Sequence, residues 1–254
     1  MIKNLAFIFV IFFSCCNSVL NKNDTYNNEI RCIQVKQVFP VIQKDGKVPK
    51  YDSNFVKIYY YKDMAMYHLG YHYSYTKNKV RLITEDRDHF FIHKKGEVFG
   101  YDYDKNKSEF GVKMPVDSLL NKQWISVTQI YPMIFENSST LVSSKWNLDS
   151  SILDEMYIYR SKQDTAMTGS VHLSFTNKMM DINYSMSKEL DSMKNMKLYK
   201  AKLSQDSRYV NDFKVNLDEF HIIHGFEEVK ITSPKEILAY FERYKKDILK
   251  DSIL

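Results

Sequence analysis

Met64-Ala65-Met66-Tyr67-His68-Leu69-Gly70-Tyr71-His72-Tyr73-Ser74-Tyr75 decides the fold class. Its odd positions carry Tyr67, Leu69, Tyr71, Tyr73 and Tyr75, and its even positions carry Met66, His68, Gly70 and His72. Successive side chains of a strand point to opposite faces, so a period of two reads as a strand with one aromatic face. Just upstream, Phe55-Val56-Lys57-Ile58-Tyr59-Tyr60-Tyr61 repeats the pattern, with Val56, Ile58 and Tyr60 sharing a face. The whole chain has 19 Tyr and 16 Phe against 7 Gly and 5 Pro, a composition that suits strands.

Working outward, period-two runs follow one another. Upstream lies Ile30 to Val41. Downstream come Val80 to Thr84, His89 to His93, Glu97 to Tyr103 and Glu109 to Met114. Lys77-Asn78-Lys79, Lys94-Lys95-Gly96 and Asp104-Lys105-Asn106-Lys107 are turn signals between them. Ser118 to Lys122 reads as a short helix. The pattern resumes at Met156 to Arg160, Ser170 to Phe175, Met179 to Met186, Lys197 to Leu203 and Phe220 to Ile231, with a helical connection at Ser187 to Met193.

The chain closes on Ser233-Pro234-Lys235-Glu236, a capping box with proline at the first helical position. Ile237, Leu238, Phe241, Tyr244, Ile248 and Leu249 then share a helical face, opposite Glu242, Arg243, Lys246 and Lys250. The mixed charge of the polar face argues for packing over a sheet rather than for a membrane-surface helix, which favours Lys and Arg there. Consecutive strands with a terminal helix, and no βαβ alternation, predict an α+β, β-rich fold with a mostly antiparallel sheet. A half-barrel with a helix across its mouth, the architecture of periplasmic lipoprotein carriers, is consistent with this order of elements.

The first residues speak of destination. Lys3 precedes the apolar run Leu5 to Phe13, which ends in Ser14-Cys15-Cys16. That run is far shorter than the ~20 residues a spanning helix needs, so it reads as an export signal. The segment resembles the signal of a bacterial lipoprotein precursor, in which a small residue precedes a cysteine that receives a diacylglycerol group. The resemblance implies lipidation at Cys16, with Cys15 as the alternative. It also implies a cell-envelope location, anchored in a membrane and facing periplasm or exterior. The expected organisation is a signal at 1–16, a flexible Asn-rich tether at 17–29 and one β-rich domain at 30–254.

Composition excludes several classes. Hydrophobic residues make up 44% of the chain, enough for a core and against disorder. The formal charge of +5 is spread over a mixed surface, with no basic stripe interleaved with aromatics, so no nucleic-acid partner is expected. Cys32 stands alone in the mature part, which removes disulfide and CxxC chemistry and marks it as a small buried strand residue. No P-loop, G-x-G-x-x-G, H-E-x-x-H or G-x-S-x-G occurs, and no cofactor is expected.

Two constellations remain as candidate sites. His68 and His72 are four apart, as are His89 and His93. If their strands were neighbours, four imidazoles could converge on zinc or copper. The obstacle is Val80 to Thr84, read as a separate strand between them. His221 and His224, three apart, would face differently on a strand. The tyrosines Tyr67, Tyr71, Tyr73 and Tyr75 could stack on a sugar or line a groove for acyl chains, although such rows also build ordinary sheet cores. Glu85, Asp86 and Asp88 read as a solvated turn. Three functional expectations follow: first a non-catalytic binding or carrier module for an apolar or glycan ligand, then a structural subunit with envelope protein partners, then a hydrolase with a dispersed site.

Overall fold

Strands that follow one another in sequence lie side by side in space, because short turns force antiparallel neighbours. The computed structural model describes residues 30–77, 80–104, 110–117, 138–162 and 167–251, and within these the side chains of 71–87 and 138 lie outside the description. The strands are β1 (Arg31–Val41), β2 (Lys50–Tyr61), β3 (Met64–Lys77), β4 (Val80–Lys94), β5 (Phe99–Asp104), β6 (Val112–Pro115), β7 (Ser138–Trp146), β8 (Ile152–Arg160), β9 (Thr168–Thr176), β10 (Lys197–Gln205), β11 (Arg208–Val210), β12 (Val215–Leu217) and β13 (Phe220–Glu228). Among the described residues two helices accompany them, α1 (Lys188–Lys194) and α2 (Pro234–Asp251).

Eleven strands form one antiparallel sheet in the order β6-β5-β4-β3-β2-β1-β13-β10-β9-β8-β7. β11 and β12 make a separate small hairpin. The large sheet is two meanders joined where β13 returns to pair with β1, Val35 opposite Phe226. Among the described residues it does not close into a barrel, and β6 and β7 are its edges. The β-rich antiparallel fold with a C-terminal helix is therefore the one the sequence predicts.

Each face of the sheet has its own core. On one face Ile33, Val35, Val56, Ile58, Ala65, Tyr67, Leu69, Phe91, Leu173, Leu198 and Phe226 pack beneath Ile182, Tyr184, Met186 and Leu190, which belong to α1 and the segment before it. On the other, Cys32, Tyr59, Met66, Phe90, Ile92, Tyr101 and Tyr103 pack beneath Ile237, Phe241 and Tyr244 of α2. The alternation within β1 shows the division directly: Ile33 and Val35 face α1, whereas Cys32 faces α2. Burial pushes the Cys32 thiol up to about 11, so this cysteine is an inert strand residue.

α1 is short and well capped. Ser187 Oγ accepts from Leu190 N at 3.3 Å, and Asn195, in the left-handed region at φ 51°, ends the helix. Lys194 reaches down to Glu155 Oε1 on β8 at 2.7 Å, and Tyr157 OH donates to the same carboxylate at 2.9 Å. α2 is held by aromatics and by a buried carboxylate. Phe90 stacks on Tyr240 at 4.2 Å, and Asp247 accepts from Tyr103 OH at 3.0 Å and from Gly111 N at 3.1 Å.

Several sequence expectations are corrected. Val80 to Lys94 is one 15-residue strand, so Glu85, Asp86 and Asp88 lie within β4 and not in a turn. Met179 to Met186 is not a strand; it is the irregular segment that covers the sheet, and its apolar residues pack downwards instead of pairing. Ile248 and Leu249 are 36% and 62% exposed, while Asp247 is buried in their place. β7, β11 and β12 had no counterpart in the sequence reading. The helix expected at Ser118 to Lys122 lies outside the described residues, as do 1–29.

Candidate functional site

The histidines test the value of register. β3 and β4 are neighbours after all, which meets the condition for convergence. Yet His68 stands opposite Phe90, and His89 stands opposite Leu69. That single-residue offset puts His68 on the α2 face, stacked on Phe90 at 4.6 Å with Asp88 Oδ1 3.1 Å from its Nε2. His89 and His93 share the α1 face with Phe91. His89 Nδ1 lies 2.9 Å from Asp102 Oδ2, and His93 Nδ1 lies 3.1 Å from Lys94 O. His72 pairs through its backbone with Asp86, and its side chain lies outside the described residues. The sheet thus separates His68 from His89 and His93, and the four-histidine centre does not assemble. Among the described residues no three His, Cys, Asp or Glu side chains come together as a metal-ligand set.

Tyr67, the first of the candidate tyrosines, is a core residue at 8% exposure, stacked on His93 at 5.8 Å. Burial pushes its hydroxyl up to about 12 and raises those of Tyr60 and Tyr184 on the same face. Burial also lowers the pKa of His93. Tyr71, Tyr73 and Tyr75 pair with Arg87, Glu85 and Leu82, and their side chains lie outside the described residues. A β-bulge between Tyr73 and Ser74 interrupts the register of that row.

Above this corner, at the end of the sheet where β1 begins, is a cleft of about 220 Å³. Tyr60, Ala65, His93 and Ile182 line it beside Arg31, Lys62, Asp63, Lys95 and Asp181. It is smaller than the ~300–1,000 Å³ of ordinary ligand pockets. Its strongest cation is already matched: Arg31 donates to Glu228 at 2.7 and 2.9 Å and also to Asp181. The cleft is a structural seam where β1, β13 and the covering segment are pinned together.

The α1 face changes character toward its other end. α1 and the segment before it contact Phe175, Leu198 and Phe226, all in the half nearest the start of β1. Further down runs a row in direct register across five strands: Ile222, Leu203, Val171, Tyr157 and Leu141. Val171 and Tyr157 are buried at its centre, Leu203 and Ile222 are half-buried, and Leu141 is exposed at the edge. One row further on stand Gln205, Gly169 and Tyr159. Gln37 and His224 lie on the same face, with Gln37 Nε2 3.4 Å from His224 Nε2, and burial pushes the pKa of His224 down to about 4. None of these residues was singled out in the sequence except His224. Their signal is positional, since each becomes part of a row only when five strands are aligned.

The arrangement defines a class by architecture: an open, eleven-stranded antiparallel sheet with one face under a long helix and the other partly covered. The chain matches no protein-family model, and no curated protein is significantly similar to it.

Proposed function

We propose that this chain is a lipid-anchored protein of the cell envelope whose domain is a non-catalytic binding or carrier module for an apolar or glycan ligand. The anchor is Cys16, with Cys15 as the alternative, on the strength of the signal at residues 1–16. The observation that supports a carrier is the open sheet, together with the half-covered row Ile222–Leu203–Val171–Tyr157 on its α1 face. Closed sheets bury such rows against a second layer, and an open one leaves room for a guest.

A second reading, a structural subunit with envelope protein partners, has its own observation. β7 is an edge strand on which Leu141, Val142 and Trp146 are 48%, 52% and 55% exposed. An edge strand with exposed apolar side chains invites another strand.

Native mass spectrometry of the mature chain from its own envelope separates the two. A reproducible added mass in the lipid or glycan range supports the carrier, and a stoichiometric protein partner with no small ligand replaces it by the assembly role. The anchor is tested separately. Cys16→Ser should abolish acyl labelling, and labelling that survives in it moves the anchor to Cys15.

A further inference from the structure

Two depressions meet at the end of the sheet where β1 begins. One is the cleft beside His93, and the other is lined by Ile30, Val229, Lys230, Ile231, Pro234 and Leu238. Arg31 and Asp181 line both, so the two share a rim. The carboxylates on that rim are engaged: Asp63 meets Lys94 Nζ at 3.2 Å, and Asp181 and Glu228 both hold Arg31. Lys62, Lys95 and Lys230 stand exposed on the same rim and have no carboxylate partner among the described residues. Met180, next to Asp181 in the chain, is 44% exposed, and Ile30, Val229 and Ile231 are half-buried. Unmatched positive charge thus surrounds apolar side chains. At the opposite end, around the β1–β2 turn and the β11–β12 hairpin, Asp45, Asp212, Asp218 and Glu219 stand among Lys44, Lys47 and Lys214.

On the lipid-anchor reading, the chain comes from the membrane to this basic end. Residues 17–29 separate Cys16 from Ile30, and a flexible tether of that length has an end-to-end distance on the order of 20 Å. β1, with 11 residues, is roughly 35 Å long. The end that holds Ile30 is therefore kept near the bilayer, and the opposite end is held off by the length of a strand. A phospholipid surface supplies what the near end lacks: anionic headgroups for the lysines and a hydrocarbon boundary for the apolar side chains.

We propose that the end of the domain where β1 begins docks on the anionic bilayer that holds the anchor, with Lys62, Lys95 and Lys230 on the headgroups and the apolar residues around Ile30 and Ile231 toward the hydrocarbon. This rests on the lipid-anchor reading and adds an orientation to it. The test uses the acylated mature chain in vesicles of phosphatidylcholine and phosphatidylglycerol that contain a headgroup-quencher lipid. A fluorophore is placed through Asn183→Cys, on the rim, or through Asn211→Cys, at the opposite end; the buried Cys32 stays unlabelled. The label at 183 should be quenched strongly and the label at 211 weakly. Lys95→Gln and Lys230→Gln should each lower the docked-to-undocked ratio about fivefold, the value of one lysine at an anionic surface, and added salt should lower it further. Lys44→Gln, at the opposite end, should leave the ratio unchanged. If the chain stays on the vesicles but the two labels are quenched alike, or docking is as strong on phosphatidylcholine alone, the docking face is wrong and the anchor reading stands. If the mature chain carries no acyl group, both are wrong.

Discussion

The two faces of this sheet solve the same problem to different degrees. On the α2 face, Phe241, Tyr244 and Ile237 meet Tyr59, Phe90, Ile92 and Tyr101, and the buried Asp247 is matched by Tyr103 and Gly111. Apolar area and polar groups are both satisfied. On the α1 face the apolar packing is complete near the start of β1, where Tyr184 packs edge-on against Phe226 at 5.1 Å, but His93 Nε2 and Asp102 Oδ1 have no hydrogen-bond partner among the described residues. Toward the other end the row thins to half-buried Leu203 and Ile222, and Gln205 Nε2 and Tyr159 OH are unmatched among the described residues. A surface made only for stability would be finished everywhere, because each unmade buried hydrogen bond costs about 1–3 kcal/mol. The contrast between the faces is what makes the α1 face the place to look for function.

The comparison can be broken first at its strongest point. Phe241→Ala removes a fully buried ring from beneath α2 and should destabilise the chain by about 3–5 kcal/mol in a urea titration. A loss below about 1 kcal/mol would mean that α2 is not a structural layer. Next comes the buried charge pair between Lys194 of α1 and Glu155 of β8. Lys194→Met strands Glu155, whose side chain is 4% exposed, and should cost about 3 kcal/mol. Adding Glu155→Leu should recover most of that loss. If the double variant is no better than the single, the pair is not coupled.

His224 sharpens the contrast through pH. The folded chain holds it neutral down to about 4, whereas its ordinary value is 6.5. Its contribution is therefore complete above pH 6.5 and is lost as pH falls toward 4, since the unfolded chain takes up the proton first. The decline should be on the order of 2 kcal/mol and should be absent from His224→Gln. Parallel pH profiles of the two proteins would remove His224 from the buried face. The smallest effect is expected at Ile248, apolar but 36% exposed: Ile248→Lys should stay within about 0.5 kcal/mol of the wild type, and a larger loss would show that this turn of α2 is covered.

Much of the architecture was legible residue by residue. The tyrosine-rich alternation after Met64, the Lys94-Lys95-Gly96 hairpin and the Ser233 capping box each carry a local physical signal, and each corresponds to an element. Gly96, at φ +85°, takes the left-handed conformation that the hairpin requires. Other elements carried no such signal. β7, with the sequence Ser-Ser-Thr-Leu-Val-Ser-Ser-Lys-Trp, is polar because it is an edge, and edges need little apolar pattern. Met179 to Met186 looked like a strand because a segment that packs down on a sheet is as apolar as one inside it.

The candidate site was less legible still. His68 and His89 share a spacing pattern and adjacent strands, but a one-residue offset in register sends them to opposite faces. Gln205 and Tyr159 lie 46 positions apart and become neighbours only through Gly169 on the strand between them. The sequence by itself determined the kind of domain: alternation, turn residues and capping are local, and local energies select strand, hairpin and helix. The tertiary structure alone decided which face each side chain serves and which buried polar groups find partners among the described residues. Those outcomes depend on register and on contacts between residues far apart in the chain, and no local pattern encodes them.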